Sequence, residues 1–562
     1  MSDKPWLNTY PTGVPKTIDA DKYKSLADLF IESRRKYADR PAYENMGKVL
    51  TFDELGELSD RFAAYLQNDL GLKPGDKIAI QLPNVLQNPI VMYGALKAGL
   101  VVVNTNPLYT PTEMRHQFVD SGSKAIVILA NFAQNLEEIL KDTAIDHVII
   151  TELGDMLGGL KGALVNFVVK KIKKMVPPFN LPEAIPLKKI LKNSSADSFN
   201  APEINAQDLA FLQYTGGTTG VSKGAMLTHR NLIGNLQQIE AWLAPTNLEE
   251  GKEIFIAALP LYHIFALNAH ALLPAKLGAK NVLITNPRDM KGFVKELKKH
   301  PFTLITGVNT LFNGLLNTPG FAELDHSTIK VALAGGMALQ RAVFDKWEKT
   351  TGMKIAEAYG LTETSPGLCI NPMGEGNRVG TIGLPLPETD VKLLDDDGKE
   401  VAPGEKGELC CKGPQVFIGY WERPEETTNC MIDGYFKTGD IATMDPDGFF
   451  RIVDRKKEMI LVSGFNVYPN EVEDAVASHP KVLEVGAIGV PDEKSTEAVK
   501  VYIVKKDQGL TEEEIFEHCK EHLTGYKRPK HVAFIDELPK SNVGKILRRI
   551  IKEEDAKNNQ YT

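Results

Sequence analysis

Short apolar runs alternate with longer amphipathic stretches through the first part of the chain. Lys77–Leu82 (KIAIQL) and Lys124–Leu129 have the pattern of buried strands, and Val101–Val103 is another short apolar run. Leu86–Ala98 and Pro111–Ser121 have the spacing of helices. Strands that alternate with helices in this way are typical of βαβ units and a parallel sheet.

The same alternation returns after residue 250, without a repeat of fixed period. Further strands are predicted at Ile254–Leu259, Val282–Ile284, Thr303–Ile305 and Val331–Ala334, with helix-like stretches between them. The fold class predicted for this half of the chain is therefore α/β, with a large N-terminal domain built from two α/β subdomains.

The pattern changes after about Pro385, where the apolar runs become short. Asp395–Gly398 (DDDG) and Asp445–Gly448 (DPDG) lie between such runs, and Asp-Gly turns in this position are typical of hairpins. The charged stretch Arg451–Lys457 (RIVDRKK) follows, and beyond Glu458 strands and helices mix. We expect a small β-rich subdomain and then a small α+β domain.

These changes divide the chain into three parts. The predicted boundaries are an N-terminal domain over residues 1–453, a hinge over 454–457 and a C-terminal domain over 458–562.

Composition narrows the class of protein. The 562 residues are 43% hydrophobic and 25% charged, as in soluble globular proteins, and the net charge of −8 argues against nucleic-acid binding through bulk charge. The five cysteines form no CxxC pair, which favours a reducing compartment over a disulfide framework. No apolar run reaches the ~18–20 residues of a membrane span, and the first residues lack the apolar core of a secretion signal. We expect a cytoplasmic protein.

One segment also predicts that the protein contacts the cytoplasmic face of a membrane. In Leu157–Val176 the apolar residues fall on one helical stripe, and Lys170, Lys173 and Lys174 lie largely away from it. A basic amphipathic helix of this kind can lie on an anionic membrane surface. The alternative is a surface helix that packs on its own domain. The apolar stripe consists of Leu157, Leu160, Leu164, Val168, Ile172 and Met175.

A glycine- and threonine-rich loop follows the apolar run Leu209–Leu212. Tyr214–His229 reads YTGGTTGVSKGAMLTH, and such a loop exposes backbone N–H groups that can surround phosphate oxygens. It lacks the Walker A pattern, because Ser222 precedes Lys223 and Gly224 follows it, and it lacks GxGxxG. A phosphate loop of another type is predicted; a turn without a ligand is the alternative.

This loop resembles the phosphate loop of the adenylate-forming superfamily of acyl-CoA synthetases. Gly216 and Ser222 depart from the usual serine and proline of that motif. Further stretches resemble the superfamily's motifs in the required order, over almost the whole chain. They are PLYHIF (260–265), LAGG (333–336), EAYGLTE (357–363), GYFKTGD (434–440), DRKKEMILVSGFNVYP (454–469) and PKSNVGKILRR (539–549).

The resemblance implies an ATP-dependent acid–thiol ligase. A carboxylate would attack the α-phosphorus of ATP to give an acyl-adenylate, and the thiol of coenzyme A would then displace AMP. The stretch PLYHIFALN and the 433–473 block are closest to members that act on long-chain fatty acids. The implied partners are a fatty acid, ATP, coenzyme A and Mg²⁺; a homodimer stays open, since the sequence does not determine the oligomeric state.

The resemblance also assigns residues to the triphosphate and its metal. Glu363 would bind Mg²⁺ together with phosphates and waters, and Thr362 would contact the α-phosphate. The residues that would surround the β- and γ-phosphates are Tyr214, Thr215, Gly216, Gly217, Thr218, Thr219, Gly220 and Lys223.

A second group would bind the nucleoside. Tyr359 would stack on adenine, Asp440 would accept hydrogen bonds from the ribose hydroxyls, and Arg455 would reach the ribose or phosphate. The remaining residues of the implied adenine pocket are Gly335, Gly336, Glu357, Ala358 and Gly360.

The last group would serve the two half-reactions. His263 would border the acyl carboxylate, and Lys545 would bridge the carboxylate and the α-phosphate, where a cation lowers the repulsion between two anions. Because Lys545 is far from the phosphate loop in sequence, the C-terminal domain would move about a pivot at Lys457. Gly464 would then line a channel for coenzyme A.

Taken singly, most of these residues also have an ordinary structural interpretation. His263 could be a core histidine, Glu363 a turn carboxylate, Asp440 a turn residue, and Arg455 and Lys545 solvated charges. Other functions also stay open: a medium-chain or aryl acid–CoA ligase, a peptide-synthetase activation domain, or a non-catalytic lipid- or nucleotide-binding protein.

Overall fold

The computed structural model describes residues 4–215, 222–463, 465–492, 494–541 and 546–559. The strands in the first part of the chain are β1 (Pro41–Asn45), β2 (Lys48–Thr51), β3 (Lys77–Gln81), β4 (Val101–Asn104), β5 (Ala125–Leu129), β6 (His147–Thr151), β7 (Ile185–Pro186), β8 (Leu209–Thr215) and β9 (Lys223–Thr228). The strands that follow are β10 (Ile254–Ala257), β11 (Lys280–Leu283), β12 (Leu304–Gly307), β13 (Val331–Gly335), β14 (Ala356–Gly360), β15 (Gly367–Ile370) and β16 (Leu384–Pro385).

Helices connect most of these strands and cover the sheets. They are α1 (Trp6–Thr9), α2 (Leu26–Tyr37), α3 (Phe52–Asn68), α4 (Gln87–Lys97), α5 (Pro111–Ser121), α6 (Ala133–Ile139), α7 (Gly159–Phe167), α8 (Leu187–Asn193), α9 (His229–Leu243), α10 (Ile264–Leu267), α11 (Leu273–Leu277), α12 (Met290–Leu297), α13 (Asn309–Leu316) and α14 (Arg341–Thr351).

Two sheets form the large part of the molecule, and both are parallel at their centres. One has the strand order β7-β6-β5-β3-β4-β8-β9 and the other β16-β15-β14-β13-β12-β10-β11-β1-β2. Only pairs at or near the sheet edges are antiparallel: β8–β9 in the first sheet, and β1–β2, β14–β15 and β15–β16 in the second. The central strands are almost wholly buried, as expected for parallel strands covered on both faces. The α/β prediction is confirmed.

Local signals explain why α5 spans the residues that the apolar spacing predicts. The Thr110 side chain accepts a hydrogen bond from the Glu113 backbone N–H, and the Glu113 side chain reaches back to the Thr110 N–H. Pro111 occupies the first turn, where its missing N–H costs nothing, and Gly122 ends the helix in the left-handed conformation.

The predicted hairpins form a separate small sheet of β17 (Asp390–Leu394), β18 (Gly407–Lys412), β19 (Met431–Ile432), β20 (Tyr435–Met444) and β21 (Phe450–Arg455), with α15 (Pro424–Asn429) beside it. The DPDG turn joins β20 to β21. In that turn the Asp445 carboxylate accepts hydrogen bonds from the N–H groups of Asp447 and Phe449. All pairs in this sheet are antiparallel, so the β-rich subdomain is confirmed.

The C-terminal part has its own mixed sheet and its own apolar core. Its elements are β22 (Ile460–Val462), β23 (Phe465–Val467), α16 (Pro469–Ala477), β24 (Val482–Asp492), β25 (Thr496–Lys505), α17 (Glu512–His522), β26 (His531–Phe534) and α18 (Arg548–Asn559). A separate core is what an independently moving domain requires. The predicted boundaries and the motion itself remain predictions.

The amphipathic segment is shorter and more irregular than its apolar stripe predicts. Helix α7 ends at Phe167, and a π-helical turn over Val168–Ile172 follows it. Leu157 is buried and Val168 is half-buried, whereas Leu160, Leu164, Ile172 and Met175 are exposed. Within the described residues, every helix is too short or too polar to cross a lipid bilayer.

Candidate functional site

The predicted phosphate loop joins β8 to β9, which form an antiparallel hairpin. Thr215 is opposite Lys223, and Tyr214 is opposite Gly224, so the lysine is held where the loop returns to the sheet. The glycines and threonines between them lie outside the described residues, namely Gly216, Gly217, Thr218, Thr219 and Gly220.

The Tyr214 side chain attaches this hairpin to helix α5, which carries Asp120. Its ring is buried, and its hydroxyl donates a hydrogen bond to the Asp120 carboxylate over 2.7 Å. Arg423 donates to the other oxygen of Asp120 at 2.5 Å. The side chain of Tyr214 is thus engaged within the protein, and its predicted contact with the nucleotide stays a prediction.

Lys223 lies among charged and aromatic groups. Its ammonium forms an ion pair with Glu426 on α15 and lies 5.2 Å from the centre of the Tyr420 ring. Partial burial and the nearby charge of Lys457 lower the pKa of Lys223. The side chains of Lys223 and Glu426 are each 37% exposed, so this ion pair can be exchanged for a ligand at modest cost.

Glu363 follows the end of β14 in a single 3₁₀ turn, Thr362–Thr364. Its carboxylate is buried, and Oε1 accepts a hydrogen bond of 2.6 Å from the Tyr420 hydroxyl. Burial raises the pKa of Glu363; the hydrogen bond from Tyr420 and the charge of Arg455 act in the opposite direction. A buried carboxylate held in this way is suited to a cation.

The turn before Glu363 requires glycine. A Cβ at Gly360 would lie 1.9 Å from the Pro366 carbonyl oxygen, so a larger residue would push the turn away from β14. The neighbouring Ala358 continues the parallel pairing with Gly335 on β13.

The predicted adenine pocket lies at the carboxyl ends of β13 and β14, where ligands bind in open parallel sheets. Gly336 has a φ of +80°, which favours glycine, and a Cβ at Gly335 would lie 3.0 Å from the Phe265 ring. At Gly335 and Gly336 the backbone therefore carries no side chain that would cover this edge of the sheet.

Glu357 supports the same edge from within. Its two carboxylate oxygens accept hydrogen bonds from the backbone N–H groups of Leu339 and Gly380, at 3.0 and 3.1 Å. Burial raises the pKa of Glu357. The observed role of Glu357 is to tie two loops to β14.

Tyr359, Asp440 and Arg455 come together from three different strands. The Tyr359 hydroxyl donates to Oδ2 of Asp440, and Arg455 Nε lies 3.1 Å from Oδ1. Asp440 and Arg455 are register partners on β20 and β21. The buried carboxylate is therefore paired on both oxygens, which offsets the cost of burying its charge.

His263 caps the short helix α10, and its Nδ1 accepts a weak hydrogen bond of 3.4 Å from the Phe265 N–H. Burial lowers the pKa of His263 to about 4, so the imidazole is neutral near pH 7. A neutral ring can line a pocket for a carboxylate but cannot serve as a cation there.

The predicted hinge begins in a cluster around Arg548, the first residue of α18. Arg548 binds Glu473 through Nε at 2.8 Å and Nη2 at 2.6 Å, pairs with Glu458, and has Nη1 3.5 Å from Asp454. Burial raises the pKa of Asp454 to about 6, although the charge of Arg548 lowers it. Gly464 and Lys545 lie outside the described residues.

The predicted residues thus form two neighbouring groups. Lys223 and Glu363 are joined through Tyr420, and Tyr359, Asp440 and Arg455 form the second group. The groups adjoin, because Glu363 lies in the turn that directly follows β14, the strand that carries Tyr359.

Sequence reasoning missed three residues that organise the site: Tyr420, Glu426 and Asp120. They lie outside the motifs that carry the family resemblance as set out above. Tyr420 and Glu363 are 57 positions apart, and no spacing rule connects them. The stretch GYWERPEE, with two aromatic residues beside clustered charges, was the available signal.

The chain is similar to known proteins over most of its length. The AMP-binding enzyme family matches residues 30–421, and the AMP-binding enzyme C-terminal domain matches residues 471–545. A long-chain-fatty-acid–CoA ligase of Escherichia coli O157:H7 is 57% identical over 551 residues, which is 98% of each chain. A protein of the same description from Yersinia pestis is 56% identical over 555 residues, or 99% of each chain.

Among solved structures, an anthranilate–CoA ligase in complex with anthranoyl-AMP superimposes with a TM-score of 0.85 and 23% identity. The alignment covers 97% of this chain and 100% of that one. At this identity the likeness concerns the fold. Because the family match spans most of the chain and the related sequences align almost end to end, the chain belongs to the AMP-binding enzyme family.

Proposed function

We propose that this protein is a long-chain-fatty-acid–CoA ligase, which converts a fatty acid, ATP and coenzyme A into acyl-CoA, AMP and pyrophosphate. The observation that carries the proposal is the near full-length similarity to ligases of that description. ATP and coenzyme A are co-substrates of such enzymes.

The reaction has two steps. A carboxylate oxygen of the fatty acid attacks the α-phosphorus of ATP, and pyrophosphate leaves. The sulfur of coenzyme A then attacks the acyl carbon, and AMP leaves with the electrons of the broken C–O bond. Both nucleophiles come from substrates, so the protein mainly has to bind, orient and stabilise negative charge.

The proposed phosphate side of the site is built around Lys223 and Glu363. Lys223 and the 215–220 loop would hold the β- and γ-phosphates, and Thr362 would contact the α-phosphate. Mg²⁺ usually takes one or two carboxylates and completes its shell with phosphates and waters, and the single buried carboxylate of Glu363 fits that donor set. When bound, Mg²⁺ would neutralise charge on the departing pyrophosphate.

A second cluster, of two carboxylates and one imidazole, lies away from this proposed metal site. Among the described residues, the ligand atoms of Glu44, Glu296 and His300 lie close enough together to hold an ion. Lys280 already donates to Glu44 over 3.1 Å, which satisfies that group with an internal cation. Glu363 remains the proposed Mg²⁺ ligand.

The proposed nucleoside side uses the second group. Asp440 would bind the ribose hydroxyls, with Arg455 beside it, and Tyr359 would stack on adenine next to Gly335 and Gly336. The hydrogen bond from Tyr359 to Asp440 supports this arrangement, because it fixes the ring and the carboxylate relative to each other.

The remaining roles concern the acyl group and the second step. His263, neutral through burial, would line the pocket for the fatty carboxylate. In the first step Lys545 would bridge the fatty carboxylate and the α-phosphate. In the second step the C-terminal domain would move about Lys457 and bring Gly464 to the coenzyme A channel.

The function is tested by two assays on the purified protein. Exchange of pyrophosphate into ATP that depends on fatty acid is expected for a ligase, and its absence would leave only a binding protein. AMP release measured with long-chain, medium-chain and aryl acids separates the proposed substrate class from the two alternatives within the family. A preference for medium-chain or aryl acids would overturn the long-chain assignment.

Glu426 competes with the nucleotide for Lys223, which gives a first prediction. Glu426→Gln should lower KM for ATP by about 2- to 5-fold, because the ion pair no longer has to open and exposed pairs are worth at most about 1 kcal/mol. Steady-state AMP release at saturating fatty acid and coenzyme A measures this.

Glu425→Gln is the matched control, since it removes the same charge from the same helix without removing the partner of Lys223. The control should leave KM for ATP near the wild-type value. A higher KM in Glu426→Gln would mean that Glu426 positions Lys223 for binding rather than competing for it.

We also propose contact with an anionic lipid bilayer, the supplier of an apolar substrate. The face of α7 and the turn that follows it exposes large apolar side chains: Leu160 (91%), Leu164 (63%), Phe167 (56%), Ile172 (65%) and Met175 (53%). The exposed lysines around this face are Lys161, Lys170, Lys171, Lys173 and Lys174. Apolar residues ringed by lysines match the interface of an anionic membrane.

The opposite face of α7 holds the helix to the protein. Gly162 packs directly against the Gly154 backbone, and Asn166 accepts a hydrogen bond of 2.6 Å from the Gly154 N–H. The exposed face can therefore meet a membrane without the helix detaching.

Acidic substitutions in this face give a second prediction. Leu164→Glu combined with Phe167→Glu should reduce flotation with phosphatidylcholine–phosphatidylglycerol vesicles severalfold, because two apolar side chains that would enter the bilayer are lost and negative charge is added. Activity on dissolved fatty acid should not change. The single change Ile31→Glu, at another exposed apolar position, is the control. Equal flotation of the double variant and the wild type would remove this surface from membrane binding.

A further inference from the structure

Tyr420 contacts both of the charged groups proposed for the triphosphate. Its hydroxyl donates to Oε1 of Glu363 at 2.6 Å, and the Lys223 ammonium lies 5.2 Å from the centre of its ring. A phenol can hold an anion through its hydroxyl and a cation over its ring face at the same time.

The backbone around Tyr420 is fixed to the same two regions. Residues 417–421 run antiparallel beside β9, with Ile418 N–H donating to Met226 O at 3.2 Å and Trp421 N–H donating to Gly224 O at 2.8 Å. Tyr420 itself forms an antiparallel bridge with Ala225. The segment that carries the ring is therefore fixed along β9 by backbone hydrogen bonds and an isolated antiparallel bridge.

The start of this segment is attached to the turn that carries Glu363. The Phe417 N–H donates to the Glu363 carbonyl oxygen at 2.8 Å, and the Phe417 ring packs edge-on against Tyr420 with centroids 4.9 Å apart. The Tyr420 N–H donates to the Thr427 hydroxyl at 2.9 Å. Backbone, ring edge and hydroxyl all restrict the position of the phenol.

A hydrogen bond to a metal-binding carboxylate orients it and leaves its other oxygen for the ion. Tyr420 engages Oε1 of Glu363, so in the proposed arrangement Oε2 is the oxygen that faces the ion. Truncation of the phenol should therefore affect the metal-dependent part of nucleotide binding most.

We propose that Tyr420 is a positioning residue for MgATP: its hydroxyl fixes Glu363 for the metal, and its ring keeps Lys223 directed toward the triphosphate. This role of Tyr420 rests on the proposed function in one respect, that Glu363 binds Mg²⁺ and Lys223 binds the phosphates. Tyr420 touches neither reacting atom; it acts through the two residues that would bind the ligand.

Two variants separate the two actions. Tyr420→Phe keeps the ring and removes the hydroxyl, so the Kd for ATP measured calorimetrically with Mg²⁺ should rise by roughly 10-fold, as for loss of a partner of a metal ligand. With EDTA in place of Mg²⁺, wild type and variant should bind ATP equally. Tyr420→Leu also removes the ring face and should weaken ATP binding in EDTA as well.

Tyr435→Phe is the matched control. Tyr435 lies on β20 of the same small sheet and donates a hydrogen bond of 2.9 Å to Asp390, so the change removes an equivalent tyrosine–carboxylate bond elsewhere. This variant should bind MgATP as the wild type does.

A double-mutant cycle distinguishes a specific effect of Tyr420 from a general loss of structure. In a Glu363→Gln background, Tyr420→Phe should add no further loss of MgATP affinity, because its effect passes through the missing carboxylate. Additive losses would overturn the proposal, as would unchanged MgATP binding in Tyr420→Phe or equal losses with and without Mg²⁺. These binding results are independent of pyrophosphate exchange, so failure of the ligase assay alone would count against the proposed function and not against the role of Tyr420.

Discussion

Replacing Lys545 with alanine should slow acyl-adenylate formation by roughly 100- to 1,000-fold and leave thioester formation from supplied acyl-adenylate near the wild-type rate. The first step brings together two anions, the fatty carboxylate and the α-phosphate, and a cation between them lowers their repulsion directly. In the second step the nucleophile is a thiol and the acyl carbon is already activated. Pyrophosphate exchange measures the first step, and acyl-CoA formation from synthetic acyl-adenylate measures the second.

The described flanks of the lysine-bearing segment support this prediction. Lys540 and Ile546 form an antiparallel bridge, and the Leu547 N–H donates to the Pro539 carbonyl at 2.8 Å. Arg548 then ties the start of α18 to residues at the hinge. The segment is thus attached to the part of the C-terminal domain that would carry it toward or away from the nucleotide.

Lys557→Ala is the control, because it removes an exposed lysine from α18, the helix that follows the lysine-bearing segment. It should change neither half-reaction. Equal loss of both half-reactions in Lys545→Ala would contradict the proposal that the C-terminal domain presents this lysine for the first step only.

Glu363→Gln should lower kcat/KM for MgATP by roughly 100-fold or more, since the side chain keeps its size and loses the charge that would bind Mg²⁺. Added Mg²⁺ should not restore activity, because an amide oxygen is a much weaker ligand for a hard cation. The measurement is AMP release over a range of Mg²⁺ concentrations at fixed ATP.

Glu253→Gln is the matched change for this experiment. Glu253 is also buried, but it pairs with Lys330 over 2.7 Å and lies outside the proposed site. Its loss should lower the melting temperature and leave the Mg²⁺ dependence as in the wild type. Rescue of Glu363→Gln by Mg²⁺, or unchanged turnover, would remove Glu363 from the metal site.

The elements that the sequence predicts best are those whose signals are local. Pro111–Ser121 is a helix over the predicted residues because Thr110, Glu113 and Gly122 cap it from within a few positions. The Asp445–Gly448 hairpin is similar, since one aspartate side chain closes its own turn.

The amphipathic segment shows the limit of periodicity. The spacing predicts one apolar stripe over Leu157–Val176, but the structure buries Leu157 and turns the chain out of α-helix after Phe167. Close contact between Gly154 and Gly162 decides which face of α7 turns inward, and that contact joins two backbones whose approach the stripe does not encode.

The same distinction applies to the site. The sequence indicated Asp440 and Tyr359 as members of two separate motifs, yet their mutual hydrogen bond spans 81 positions and depends on β14 of one sheet meeting β20 of another. No sequence spacing connects Glu426 or Tyr420 with Lys223: Tyr420 reaches it because residues 417–421 pair with β9, and Glu426 reaches it from α15, which follows that segment.

By itself, the sequence determined the α/β class, the change to a β-rich segment after about Pro385, and which residue types stand ready for phosphate, ribose and metal. The first two follow from periodicity and turn chemistry, which act over a few residues, and the candidate residues for ribose and metal follow from motifs shared with the adenylate-forming superfamily. Only the tertiary structure decided that Lys223 and Glu363 share Tyr420, that Asp440 is satisfied by Tyr359 and Arg455, and that α7 presents its apolar face outward. Those outcomes depend on distances between residues far apart in the chain, and such distances are set by the order of strands and the fit of buried side chains.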